Sequence, residues 1–197
     1  MNTGLYFGSF NPIHIGHLAV ANYMVEFTPL DRIWFVVSPQ NPLKSKKNLL
    51  SGYDRLKMVD MALETDKFRF SSSDVEFRLP IPSYTIDTLA RLREKHPAEH
   101  FSLIMGEDNL YTLHKWKNSE LLAESCEMYV YPRPGSVRPA DDNLDRLLKK
   151  ATVKHVKAPL IDISGTFIRN AIAGGKDIRH FLPPGVYDYI EKMGFYR

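Results

Sequence analysis

Leu5-Tyr6-Phe7-Gly8-Ser9-Phe10-Asn11-Pro12-Ile13-His14-Ile15-Gly16-His17 is a short apolar run that stops at a glycine, turns through Ser9 to Pro12, and continues into a helical pattern from Gly16 to about Phe27. Strand, loop and helix in that order are the opening of a βαβ unit. Outward from it the alternation continues. Arg32 to Ser38 carries Ile33, Trp34, Phe35, Val36 and Val37 without a polar break, as a strand covered on both faces does. Ser51 with Asp54 three residues on opens a helix bearing Leu56, Val59 and Leu63. The pattern then predicts a strand over Phe68 to Phe77, a helix over Thr85 to His96, and a buried strand over Phe101 to Met105. Short helices follow at Asn109 to Leu113 and Ser119 to Ser125, then a strand at Met128 to Tyr131 and a turn at Pro132 to Gly135. A helix near Asp142 to Lys150, a strand over Val153 to Ile163 and helices near Thr166 to Ala173 and Pro184 to Met193 complete the reading. Such alternation implies an α/β fold: a Rossmann-like parallel sheet with helices on both faces, its site at the carboxyl ends of the strands. No repeat or linker divides it, so a single domain over 1–197 is expected.

Composition narrows the classes. With 44% hydrophobic residues in 197, the chain can bury one substantial core. The 26 basic and 23 acidic side chains leave a formal +3, and they are scattered, whereas a nucleic-acid face would cluster them with aromatics. The one cysteine, Cys126, excludes an intramolecular disulfide framework and reads as a buried thiol. The uncharged stretch from Thr3 to Val25 holds Pro12, His14, His17 and Asn22, too polar to span a bilayer. A cytoplasmic protein with neither nucleic-acid nor membrane partners is the expectation.

Within residues 8–17, two glycines permit close approach of an anion to the backbone, and amides at the turn and helix start favour one. His14 and His17 add imidazole donors, expected to keep near-neutral pKa values. A lone histidine there would read as an incidental loop residue. Two histidines, two glycines and a proline in ten residues point to phosphate. Near the other end, Ser164 reads as an N-cap and Thr166 as a first-turn residue, with Arg169 on the same face.

The first segment resembles the HxGH signature of the nucleotidyltransferase superfamily, and Ile163-Ser164-Gly165-Thr166-Phe167-Ile168-Arg169 resembles its second signature. Ser83-Tyr84-Thr85-Ile86-Asp87-Thr88-Leu89 is similar to the SYTxDTL motif of bacterial nicotinate-mononucleotide adenylyltransferases. Gly106-Glu107-Asp108-Asn109-Leu110, with Leu113 and Trp116, is similar to their GxDxLxxLxxW motif. The resemblance spans the chain. It implies transfer of the adenylyl group of ATP to nicotinate mononucleotide, releasing pyrophosphate and forming a dinucleotide precursor of NAD. It implies that His17, His14, Lys44 and Arg169 carry the chemistry. Gly8, Ser9, Phe10, Gly106, Asp108, Ser164, Thr166 and Phe167 would join His14, His17 and Arg169 in holding ATP. Tyr84, Thr85, Trp116, Lys117 and Arg133 would hold the pyridine nucleotide. Lys117 stands where an aromatic is common and favours an acid substrate, while Leu43 replaces a common histidine before Lys44. Mg²⁺ is expected on the ATP phosphates, since no Asp/Glu cluster offers a protein metal site.

Three other readings compete. A phosphopantetheine adenylyltransferase would share the first signature and lack the SYTxDTL pairing. A class I aminoacyl-tRNA synthetase would share His14-Ile15-Gly16-His17, but Lys44-Ser45-Lys46-Lys47 follows too closely and the chain is too short. A non-catalytic nucleotide sensor could dispense with His17, which is present.

Overall fold

Alternation of side chains along each strand decides which face each residue covers. In the computed structural model, which describes residues 1–39 and 49–197, six strands run parallel in the order β3-β2-β1-β4-β5-β6. They are β1 (Asn2–Gly8), β2 (Arg32–Val37), β3 (Phe70–Ser73), β4 (His100–Gly106), β5 (Met128–Tyr131) and β6 (Val153–His155). Tyr6, Phe35, Ile104 and Tyr129 point to one face, and Leu5, Val36, Leu103 and Val130 to the other. The continuous apolar runs of β1, β2 and β4 are therefore covered on both sides.

Helices α1 (Ile15–Phe27), α2 (Gly52–Leu63), α7 (Gly165–Ala173) and α8 (Pro184–Met193) cover the first face through Met24, Met58, Ile168 and Ile190. Helices α3 (Thr85–Lys95), α4 (Glu107–Leu110), α5 (Ser119–Ser125) and α6 (Asp142–Leu148) cover the second through Leu89, Leu110, Leu122 and Leu147. Each such fully buried side chain contributes roughly 1.5–3 kcal/mol by leaving water. Local signals set the ends. Ser51 Oγ accepts from the Asp54 amide at 3.1 Å, Pro184 opens α8, and Gly194 closes it at φ +65°.

Two expected strands are shorter than the sequence pattern implies. Of residues 68–77 only Phe70–Ser73 pair in the sheet; Phe68 is 91% exposed, and Val75–Arg78 form a 3₁₀ turn. Of residues 153–163 only Val153–His155 pair, and Val156, Ile161 and Ile163 then reach the core from irregular backbone. Pro159 removes a ladder donor from that stretch. The chain leaves β1 toward β2 on one side and enters β4 on the other. Loops at the carboxyl ends of β1 and β4 thus part at a switch point. Among the described residues no helix is long and apolar enough to cross a membrane.

Candidate active site

The turn after β1 is built around a buried phenyl ring. Phe10 is 2% exposed at φ +44°, edge-on to Tyr6 and to His17 with centroids 5.9 and 5.1 Å away. A Cβ on Gly8 would lie 2.8 Å from its ring, so glycine is required there. Phe10 was expected against ATP; its side chain instead fills the core, and only its backbone can border the cleft.

His14 caps α1 with extended backbone and stacks on His17, ring centroids 3.7 Å apart at 26°. The His14 amide donates to His17 Nδ1 at 3.2 Å. In the neutral ring that bond leaves the proton on Nε2, making it a donor. Burial, helped by the Arg133 charge, lowers the His14 pKa to about 4. The expectation of a near-neutral pKa therefore fails for His14, which is uncharged at pH 7. Gly16 follows from the same packing, since a Cβ there would stand 3.0 Å from His14 Nδ1 and 3.1 Å from Ile161.

The second signature is bolted to this turn. Arg169 donates from Nη1 to the Asn11 carbonyl at 2.7 Å and from Nη2 to Thr166 Oγ1 at 3.1 Å. Ser164 Oγ accepts from the Phe167 amide at 3.1 Å, and a Cβ on Gly165 would come within 3.0 Å of the Asn11 carbonyl. The Phe167 ring packs edge-on against Phe181, 5.2 Å distant, and stays 46% exposed outside the residues that border the cavity. Gly8, Ser9, His14, His17, Ser164, Thr166 and Arg169 border one cavity of about 310 Å³, closed by Asp108 and Arg133. Arg133 Nε lies 3.7 Å from Asp108 Oδ1. Gly106 stands beneath them, where a Cβ would meet Asp108 Oδ1 at 2.4 Å and Arg133 Cγ at 2.7 Å. Arg133 was expected beside the pyridine ring; it stands at this opposite end, because β5 delivers it next to Asp108.

Tyr84, Thr85, Trp116 and Lys117 come together around a second cavity of about 350 Å³. Lys117 Nζ donates to Asp87 at 2.8 Å and lies 4.7 Å over the Tyr84 ring. Its charge is thus already compensated, which weakens the expectation that it selects an acid substrate. Beneath this wall Glu76, 2% exposed, accepts from Ser83 Oγ at 2.9 Å and Thr88 Oγ1 at 2.8 Å. Burial pushes its carboxyl pKa up, and hydroxyl bonds from Ser38, Thr88 and Ser83 oppose the shift. The two cavities share Tyr6, Phe7, Gly8, Ser9, Asn109 and Tyr131, so they form one cleft above β1 and β4.

Lys44 lies outside the described residues. Sequence reasoning missed Arg55, which is fully buried on α2 and donates to the carbonyls of Ser9, Ser38, Pro39 and Leu50. It carries no carboxylate partner in those bonds; it holds backbone. Cys126, expected as a buried thiol, is half-buried, and burial raises its pKa to about 11.

Comparison with known proteins adds a family. A cytidylyltransferase-like family model matches residues 5–171. A protein of Flavobacterium johnsoniae described as a probable nicotinate-nucleotide adenylyltransferase is 51% identical over the full length of both chains. One of Bacteroides fragilis with the same description is 47% identical, covering 95% of this chain and 90% of its own. In structure, the nicotinic acid mononucleotide adenylyltransferase of Plasmodium falciparum complexed with NaAD superposes with a TM-score of 0.79. It covers 99% of this chain and 97% of its own at 22% identity, a likeness of fold. Matched from end to end at these identities, the chain belongs to the cytidylyltransferase-like family and, within it, to the nicotinate-nucleotide adenylyltransferases.

Proposed function

We propose that this chain, acting as a single nucleotidyltransferase domain over 1–197, joins the adenylyl group of ATP to nicotinate mononucleotide. The products are nicotinate adenine dinucleotide and pyrophosphate. The observation that carries the reading is the shared wall at Gly8 and Ser9: a cavity rich in anion donors and one walled by flat rings meet there. The acceptor's 5′-phosphate attacks the α-phosphorus of ATP in line, the new P–O bond forming as the bond to pyrophosphate breaks. A phosphate monoester is already nucleophilic, so the protein's task is positioning and charge stabilisation.

His17 Nε2–H donates to the α-phosphate as its charge builds. Neutral His14 donates to a neighbouring phosphate oxygen, and Arg169 with Lys44 meets the departing pyrophosphate. Gly106 and Asp108 border the adenosine ribose, and Ser164 and Thr166, with Phe167 beside them, hold phosphate at the start of α7. Trp116 stacks on the pyridine ring beside Tyr84, Thr85 and Lys117. Among the described residues no three His, Cys, Asp or Glu side chains gather as metal ligands. The phosphate end offers imidazole, hydroxyl and guanidinium donors, a set that complements an Mg²⁺ carried by the nucleotide's own oxygens. The ion would withdraw charge from those oxygens. The setting is the cytoplasm, with ATP and nicotinate mononucleotide as the partners.

Pyrophosphate release from MgATP, measured separately with nicotinate mononucleotide, nicotinamide mononucleotide and phosphopantetheine, tests this. Strong release with the nicotinate acceptor is expected. Release with phosphopantetheine alone, or ATP binding without release, would sink the reading.

A further inference from the structure

Two phenols stand where the two cavities meet. Tyr6 on β1 and Tyr131 on β5 meet edge to face across β4, ring centroids 6.1 Å apart, and their hydroxyl oxygens are 3.1 Å apart. They are only 5% and 8% exposed, yet both border both cavities. A buried hydroxyl without a partner costs roughly 1–3 kcal/mol, so a pair of them in a core wall calls for a use. Two hydroxyls carry two protons. One lies between the oxygens, and the other has no acceptor among the described residues. Either oxygen can donate in that bond; Tyr6 is the deeper of the two, enclosed by Phe10, Phe35 and the His17 ring, which favours donation from Tyr6 to the Tyr131 oxygen. In that arrangement the Tyr131 proton is the one left for the cleft, where the Arg133 and Asp108 charges act on both phenols.

We propose that Tyr131 is a phosphate-binding residue whose hydroxyl, oriented by Tyr6, donates to a substrate phosphate oxygen where the two cavities meet. Tyr6 is then a positioning residue. It fixes the Tyr131 rotor by donating to it and touches no substrate. Burial raises the pKa of both phenols, so both stay protonated across the working range. The inference rests on the adenylyl-transfer reading, because it needs two phosphate-bearing ligands to meet at this point.

Wild-type pyrophosphate release reports on that reading by itself, and phenylalanine variants then report on the pair. Tyr131→Phe is expected to lower kcat/KM about 10- to 100-fold, the effect of a hydrogen bond to a charged group. Tyr6→Phe, which leaves the outward proton in place, should lose only about fivefold or less, as a neutral bond does. Tyr129→Phe, at the other end of β5 with its hydroxyl beside Lys154, should behave as wild type. A loss carried in the KM for ATP assigns the oxygen to ATP, and one carried in the KM for the acceptor assigns it to the mononucleotide. Either supports the proposal. Equal losses in the two variants, a larger loss in Tyr6→Phe, or an unaffected Tyr131→Phe would each overturn it.

Discussion

The His14 imidazole is 4% exposed, pressed between Gly16 and the His17 ring, with its Nδ1 lacking a partner among the described residues. Burial holds it neutral down to about pH 4, whereas an unfolded histidine titrates near 6.5. Between those values the unfolded chain binds the extra proton and the folded chain does not, so stability rises with pH there and is lost as pH falls from about 6.5 to about 4. A shift of that size corresponds to roughly 3 kcal/mol. Urea unfolding at pH 7, 5.5 and 4 should therefore show wild type losing about that much more than His14→Gln. Parallel losses would mean that the imidazole does not carry the shift. The same neutrality suits a donor that must approach a polyanion without trapping it as a full ion pair.

At the scale of elements, the strand–turn–helix at the amino end is held by distant parts of the chain. Arg169 of α7 grips the Asn11 carbonyl, and Tyr196 donates to Asn11 Oδ1 at 2.8 Å. Arg55 of α2 clamps the backbone of Ser9, Ser38, Pro39 and Leu50 together. Arg55→Met keeps the volume and strands buried carbonyls, so a loss of about 3 kcal/mol is expected. That would lower the thermal midpoint of a chain this size by about 6–12 °C. Arg55→Lys should not restore it, because an ammonium lacks the planar fork that reaches several carbonyls at once. A wild-type midpoint in Arg55→Met would show that water replaces the clamp at no cost. The Arg55 clamp was not legible in the sequence, because spacing along a helix does not show which backbone carbonyls a side chain reaches. The parallel sheet covered on both faces, by contrast, is legible in apolar runs such as Ile33 to Val37, and the strand–turn–helix in the glycine and proline that interrupt the first of them. The overlong strands at 68–77 and 153–163 arise because apolar residues at strand-like spacing also occur where irregular chain packs on a core. Where the Phe10 and Phe167 rings lie is illegible for a related reason. A motif's spacing fixes where a residue lies along the chain, while packing decides which way its side chain turns.

Across the whole molecule, the switch point between β1 and β4 sets the two ends of the cleft apart. Anion donors from α1 and α7 gather on one side, and the ring-lined wall from α3 and the segment after α4 gathers on the other. Among the described residues only the carboxyl end of β1 with Ser9, Asn109 and Tyr131 belong to both. Damage at the far end of the ring-lined wall should therefore stay there. Trp116 borders that cavity alone, and its indole packs on the face of the core opposite α1 and α7. Removing a stacking ring costs about 1–3 kcal/mol, so Trp116→Ala should raise the KM for nicotinate mononucleotide roughly 10- to 100-fold. The KM for ATP should stay within about threefold, since Trp116 is not among the described residues that border the other cavity. Steady-state titration of each substrate against saturating amounts of the other separates the two effects. Equal rises would mean that the ends communicate through the β1 turn and that the cleft works as one coupled unit, with the pyridine seat helping to shape the phosphate seat.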